Sequence, residues 1–282
     1  MMVNAYDEEN LLLVLQTDHS RIAGLLAAHW GNDPSGRFAE LAPYASMVLA
    51  AQEHDGGWWD WEIKPTLNDE RRPLDYIGST RWLGPVWIDF YRNVINRVSA
   101  RDPYAGYMVS MHGDALITQG MGLLPNLPDL SDKPAFREFI AEQKTFRDEL
   151  RQRLEADSEF RSAGGDEALW TNFKFMEVFD QLAQFVCNRY PLNSTARKQP
   201  SNTLSNVPVP TRPGQEDTHL NLEVLDDGAT AIVRPYPFDV DPLPVTYTGR
   251  LVPNRAYEND DEFLHSFYKG TVVTVSYCLR SG

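Results

Sequence analysis

The chain has 282 residues, 42% hydrophobic and 23% charged, the composition of an ordinary globular protein long enough to bury a sizeable core. Its formal net charge of -14 opposes binding to nucleic acid or to an anionic membrane surface, so the expected partner is a small molecule. The longest aliphatic run, Leu11 to Leu15, is far too short to span a bilayer.

Met1 to Asn10 carries Asp7, Glu8 and Glu9 with no basic residue, the wrong charge for a targeting peptide, and a cytoplasmic location is expected. Cys187 and Cys278, far apart in the chain, read as reduced thiols. Helical periodicity then dominates as far as residue 190. Asp18 to Trp30 follows the capping candidates Thr17 and Asp18 and places His19, Ile22, Ala23 and Leu26 on one face. A second helix, Gly36 to about Asp55, carries a Tyr44, Val48 and Ala51 stripe into His54-Asp55 and stops at Gly56 and Gly57. Trp58 to Gly78 has no period, contains Pro65 and Pro73, and reads as a long loop.

Helices are expected again over Ser79 to about Ala100, Pro103 to about Gln119 and Pro134 to about Phe160, with a loop at Gly120 to Asp132. Gly164 and Gly165 separate these from a last long helix, Asp166 to about Asn188. Pro191 to Gly214 mixes Pro, Asn, Ser and Thr and reads as a connecting segment. Strands follow at His219 to Leu225 and Ala229 to Arg234, joined by an Asp227-Gly228 turn, and at Val245 to Val252 and Thr271 to Leu279, with a short helix near Asp260 to Tyr268. The expected fold is mainly α: a helical bundle over 1–190, a connecting segment over 191–214, and a small antiparallel β-rich subdomain over 215–282 packed on the bundle.

Phe173, Met176, Asp180, Ala183 and Cys187 share one helical stripe, so the Asp180 carboxylate faces the core and needs a cation or several donors there. His112 aligns with Met108, Ala115 and Gln119, His19 with Ile22 and Leu26, and Asp55 with Tyr44 and Val48. A lone histidine on an apolar face is usually a satisfied core residue. Four helices that each send a His or Asp inward are instead how a bundle builds a metal site. The expected ligands are His19, His54, Asp55, His112 and Asp180, around one or two ions of manganese, iron, cobalt, nickel or zinc.

The order His19, His54-Asp55, Asp180 resembles that of the HD superfamily of metal-dependent phosphohydrolases, so the bundle is expected to be HD-domain-like. The segments Gln16-Thr17-Asp18-His19, His54-Asp55-Gly56-Gly57-Trp58-Trp59-Asp60, Asp75-Tyr76, Met111-His112-Gly113 and Phe179-Asp180-Gln181-Leu182 resemble a bacterial family of uncharacterised proteins, a domain of unknown function. Tyr236-Pro237-Phe238-Asp239 extends that likeness over nearly the whole chain. The HD likeness implies His19, His54 and Asp180 on a first ion, Asp55 bridging to a second, and His112 near the second. It implies hydrolysis of a small phosphoester or nucleotide, with Asp55 and His112 in the catalytic positions. Other readings are an HD-fold di-iron oxygenase, which needs a further ligand such as Asp114, Asp166 or Glu177, and a non-catalytic ligand-binding protein.

Arg71, Arg72 and Arg81 are candidates for a phosphate patch, against the plainer reading of a solvated face. Asp60 reads equally as an acceptor for a ligand imidazole or as a cap. Trp58, Trp59, Trp61, Tyr76, Trp82 and Trp87 read as loop packing ahead of a pocket wall. His29, His219, His265 and Glu53 are placed outside the site.

Overall fold

The computed structural model describes residues 1–31, 38–77, 83–123, 128–162, 165–188, 201–211 and 215–282. Among them seven strands form one sheet: β1 (Met2–Ala5), β2 (Asn10–Val14), β3 (Thr203–Val209), β4 (Thr218–Val224), β5 (Thr230–Arg234), β6 (Leu243–Pro253) and β7 (Val272–Ser281). Their order is β1-β2-β6-β7-β5-β4-β3, antiparallel throughout except for the parallel β5–β7 pair.

This corrects the expectation of a mainly α, HD-domain-like bundle bearing a small C-terminal antiparallel sheet. The sheet is large and mixed, and it joins strands from both ends of the chain. Leu11 to Val14 in β2 are all buried, and a strand buried throughout shows an unbroken aliphatic run instead of the alternation that marks a half-exposed one. β3 lies within the stretch expected to be a connection. It sits at the sheet's edge, where Pro208 removes no needed ladder bond.

Among the described residues the helices are α1 (Gln16–Ala28), α2 (Tyr44–Glu53), α3 (Trp59–Glu62), α4 (Pro85–Arg101), α5 (Pro103–Ala115), α6 (Pro134–Leu154), α7 (Ser158–Ser162), α8 (Gly165–Cys187) and α9 (Asp260–Lys269). The long loop after His54-Asp55 thus begins with a 3-10 turn, Gly56–Trp58, and α3. Asp102 ends α4 and starts α5: its carboxylate accepts from Ala105 N at 2.9 Å as an N-cap and from Ser46 Oγ of α2 at 2.7 Å. Gly36, Gly78, Ser79, Arg81, Trp82, Gly164 and the greater part of the expected connecting segment lie outside the described residues.

Two helices are anchored directly on the sheet. A single residue, Leu15, separates β2 from α1. The C-terminal end of α8 is tied down by Asn4 Nδ2, which donates to Cys187 O at 2.8 Å, and by the Tyr247 hydroxyl, which donates to Val186 O. Trp58, Trp61 and Trp87 are buried in the shared core, as loop packing predicts, whereas Trp59 is 53% exposed. No helix among the described residues is long and apolar enough to cross a membrane.

Candidate metal centre

The five expected ligands come together from four helical elements, all buried: His19 on α1, His54 and Asp55 at the end of α2, His112 on α5 and Asp180 on α8. The side chains of His54 and Asp55 would diverge on a regular helix. They converge here because His54 keeps helical angles while Asp55 turns into the bridge region at φ -105°, ψ 13°. Gly57 permits that turn to lie on α4, since a Cβ there would fall 1.9 Å from Phe90 O. Neither Gly56 nor Gly57 is among the positive-φ residues, so close approach, not a left-handed stop, is what Gly57 provides. Gly24 does the same between α1 and α2, where a Cβ would meet Gln52 Cβ at 2.6 Å. The first turn of α1 is capped from a distance: Glu62 of α3 accepts from the backbone N–H groups of Gln16 and Thr17 and from the Thr17 hydroxyl, in place of the expected Thr17 or Asp18 cap.

Each imidazole has one nitrogen engaged and one free. His54 Nδ1 lies 2.7 Å from Ala51 O and 3.2 Å from Ser20 Oγ. His112 Nδ1 lies 3.2 Å from Glu177 Oε1, and His19 Nε2 lies 2.9 Å from Asp180 Oδ1. Among the described residues, His19 Nδ1, His54 Nε2 and His112 Nε2 find no hydrogen-bond partner although they are buried. All three face one carboxylate: His19 Nδ1 and His54 Nε2 lie 3.6 Å and 3.7 Å from Asp55 Oδ2, and His112 Nε2 lies 4.0 Å from Asp55 Oδ1. Asp180 Oδ1 is also 3.4 Å from His54 Nε2.

The three separations from Asp55 are too long for hydrogen bonds, and all four suit neighbours around a cation. Two donors about 2.1 Å from a common ion lie about 3.4 Å apart at the tetrahedral angle and about 4.2 Å apart when opposite. Asp55, Glu177 and Asp180 are paired with histidines alone among the described residues, with no lysine or arginine beside them. Three buried carboxylates need positive charge, which protonated imidazoles or a cation can supply. The residues present therefore fit a divalent ion.

Polar neighbours hold the carboxylates in place. Asp55 accepts from the Tyr91 hydroxyl at 2.7 Å and from Gln16 Nε2 at 3.2 Å, and Trp58 Nε1 in turn donates to the Tyr91 oxygen. Gln184 Nε2 donates to both oxygens of Asp180. Sequence reasoning missed Tyr91, Gln16 and Gln184, and it weighed Glu177 only as a substitute ligand. The signal for Glu177 was available: it precedes Asp180 by three on α8 and so shares its face.

Other candidates fall elsewhere. Asp114 pairs with Arg147 and Asp166 with Arg151. Asp60 is exposed and accepts from Asn93, His29 pairs with Asp239, and Glu53 pairs with Arg97 and Arg101. Arg72 donates to Asn254, and Arg71 occupies a turn at φ 57°, neither at the cluster.

Burial opposes charge at His19, His112, Asp55 and Asp180. It would lower the His19 pKa, yet the Asp180 and Asp55 carboxylates raise it to about 10. His112 is likewise raised against burial, chiefly by Glu177, to about 9. Burial would raise Asp55, but the imidazoles of His54, His19 and His112 hold it at about 2, and His19 and His54 hold Asp180 well below the usual carboxylate range. The histidine contribution to stability is therefore complete below pH 6.5 and lost as pH rises through about 9 to 10, whereas the carboxylate contribution is complete above pH 3.8 and lost in strong acid. Coordination reverses the histidine dependence, because the nitrogens must shed protons to bind an ion. Between about pH 7 and about pH 9 the melting temperature of chelator-treated protein should fall while the increment produced by zinc grows. Parallel pH profiles with and without zinc would contradict the centre.

A family model described as a protein of unknown function, DUF3891, matches residues 1–254. The chain belongs to that family. The stretch matched to DUF3891 contains every residue of the cluster and runs from β1 to the end of β6. No curated protein and no solved structure matches the chain.

Proposed function

We propose that the protein is a metal-dependent hydrolase of a small phosphoester or nucleotide, its ion or ions held by His19, His54, Asp55, His112 and Asp180. The observation that carries this reading is the convergence of three buried, unpartnered imidazole nitrogens on the Asp55 carboxylate. The order of these residues, which resembles that of HD phosphohydrolases, favours phosphoester chemistry. A divalent cation in such a site lowers the pKa of a bound water and offsets charge developing on a phosphoryl oxygen. The chain's own groups orient the ligands: Tyr91 and Gln16 fix Asp55, Gln184 fixes Asp180, and the Ala51 carbonyl with Ser20 fixes the His54 ring.

A surface cleft of about 310 Å³ lies against Gly56, the residue after Asp55, and is lined by Arg21, Arg97 and the exposed Trp59 together with Glu53, which already pairs with Arg97. The net charge of -14 favours a small molecule over a nucleic acid, and the two free cysteines suit a cytoplasmic setting.

A second reading, oxygen activation at two irons, draws on Glu177, which lies beside His112 and offers the further side chain that chemistry calls for. Elemental analysis of the purified chain, followed by assay of the manganese- or zinc-loaded form on phosphomonoesters, phosphodiesters and nucleotides, separates the two. Hydrolysis predicts divalent metal in the preparation and turnover that a chelator abolishes. Two irons with a visible absorption band and no phosphoester turnover would move the assignment to oxygen chemistry. A loaded chain that turns over nothing but is stabilised by one metabolite would make it a binding protein.

A further inference from the structure

Glu177 is 4% exposed, and among the described residues it makes a polar contact with His112 Nδ1 at 3.2 Å. The opposite nitrogen of that ring, Nε2, is one of the three without a hydrogen-bond partner and faces Asp55 Oδ1. His54 shows the same polarity: its Nδ1 is tied to a backbone carbonyl, and its Nε2 is free and faces Asp55. On the metal-centre reading above, we infer that Glu177 is a positioning residue that accepts the Nδ1–H of His112, so that Nε2 is the nitrogen turned toward the ion.

Spacing alone allows another arrangement, since one ligand atom each from His112, Glu177 and Asp180 can be chosen within 4.8 Å of one another. If His112 coordinated through Nδ1 in that arrangement, its proton would sit on Nε2. That N–H would then be buried without a hydrogen-bond partner among the described residues, Asp55 Oδ1 lying 4.0 Å away. With Glu177 as acceptor, both ring nitrogens are accounted for. Asp180 differs from Glu177 in this respect, because its Oδ1 lies 3.4 Å from the free nitrogen of His54 and so borders the space an ion would fill. Two carboxylates three residues apart on α8 thus take different parts: Asp180 reaches the ion and Glu177 aims a ligand at it. A carboxylate behind a coordinating imidazole fixes the tautomer and raises the basicity of the nitrogen that binds.

The test uses the full chain stripped by chelator and titrated with zinc alone, in the unaltered form and as Glu177→Ala and Glu177→Gln. Ions bound per chain and affinity are read by competition with a chromophoric chelator, and long-range proton–nitrogen spectra of labelled histidine report which ring nitrogen of His112 is protonated. Glu177→Ala should keep the number of ions per chain, weaken affinity by about 10- to 100-fold, and lose the single Nδ1–H form of His112. Glu177→Gln, whose amide oxygen still accepts a hydrogen bond in nearly the same volume, should recover most of the affinity and the Nδ1–H signal. Loss of one ion per chain in either variant would make Glu177 a ligand and overturn the inference. Unchanged affinity with an unchanged tautomer would overturn it too, making Glu177 a bystander. If the unaltered chain takes up no zinc, the metal centre itself falls, an outcome distinct from both.

Discussion

Asp55→Ala should leave the chain unable to retain its ion, with affinity reduced by well over about a hundredfold. Outer partners of metal ligands are themselves worth about 10- to 100-fold, and Asp55 is the carboxylate on which all three free imidazole nitrogens converge. Asp55→Asn is the sharper variant, because its amide oxygen can still accept from Tyr91 while the negative charge is gone. Both variants also remove the counter-charge that helps hold the His19 proton in place, so the raised pKa of that ring should relax toward its ordinary value. Elemental analysis and chelator competition read the first effect, and histidine proton spectra read the second. Full metal content in Asp55→Asn would refute the assignment of Asp55.

Gly57→Ala should destabilise the fold by about 3 kcal/mol, a fall in Tm of roughly 5 °C. A Cβ at this position would lie 1.9 Å from Phe90 O and 2.6 Å from Phe90 C, which are backbone atoms of α4 and cannot swing aside as a side-chain tip would. Any shift of α4 also moves Tyr91, the next residue, whose hydroxyl holds Asp55, so ion affinity should fall together with stability. Gly113→Ala is the control. It lies beside His112, yet a Cβ there meets its neighbours no closer than 3.5 Å. That substitution should be neutral or stabilising by up to about 1 kcal/mol, because alanine is the better helix former. Equal melting temperatures for the two variants would show that the packing of the Gly57 turn on α4 is unimportant.

The cluster was more legible in the sequence than the fold around it. His19, His112 and Asp180 announce themselves because each interrupts an apolar stripe at helical spacing, and a buried charge is hard to explain otherwise. Tyr91, Gln16 and Gln184 leave no such trace, since an aromatic or amide residue on a helix face has ordinary explanations. Their partners become visible only when α4, α1 and α8 are placed around Asp55 and Asp180. The sheet was misjudged for local reasons. Four-residue β1 and β2, buried from Leu11 to Val14, show no alternation to read, and β3 is written in residues more often found in loops, Asn206 at φ 60° among them. Which strands pair is a long-range property, and the β2–β6 register brings Leu11 opposite Val252.

That register ties the helix bearing His19 to a strand late in the chain. α1 follows β2 after one residue, and β2 takes its place between β1 and a strand that ends at residue 253. A ribosome that has released residue 190 has delivered all five side chains assigned to the ion, but not the strand that docks the helix bearing His19. On the metal-centre reading, a fragment ending before β6 carries the whole ligand set without the strand that pairs with β2, and it is expected to bind zinc more weakly than the full chain.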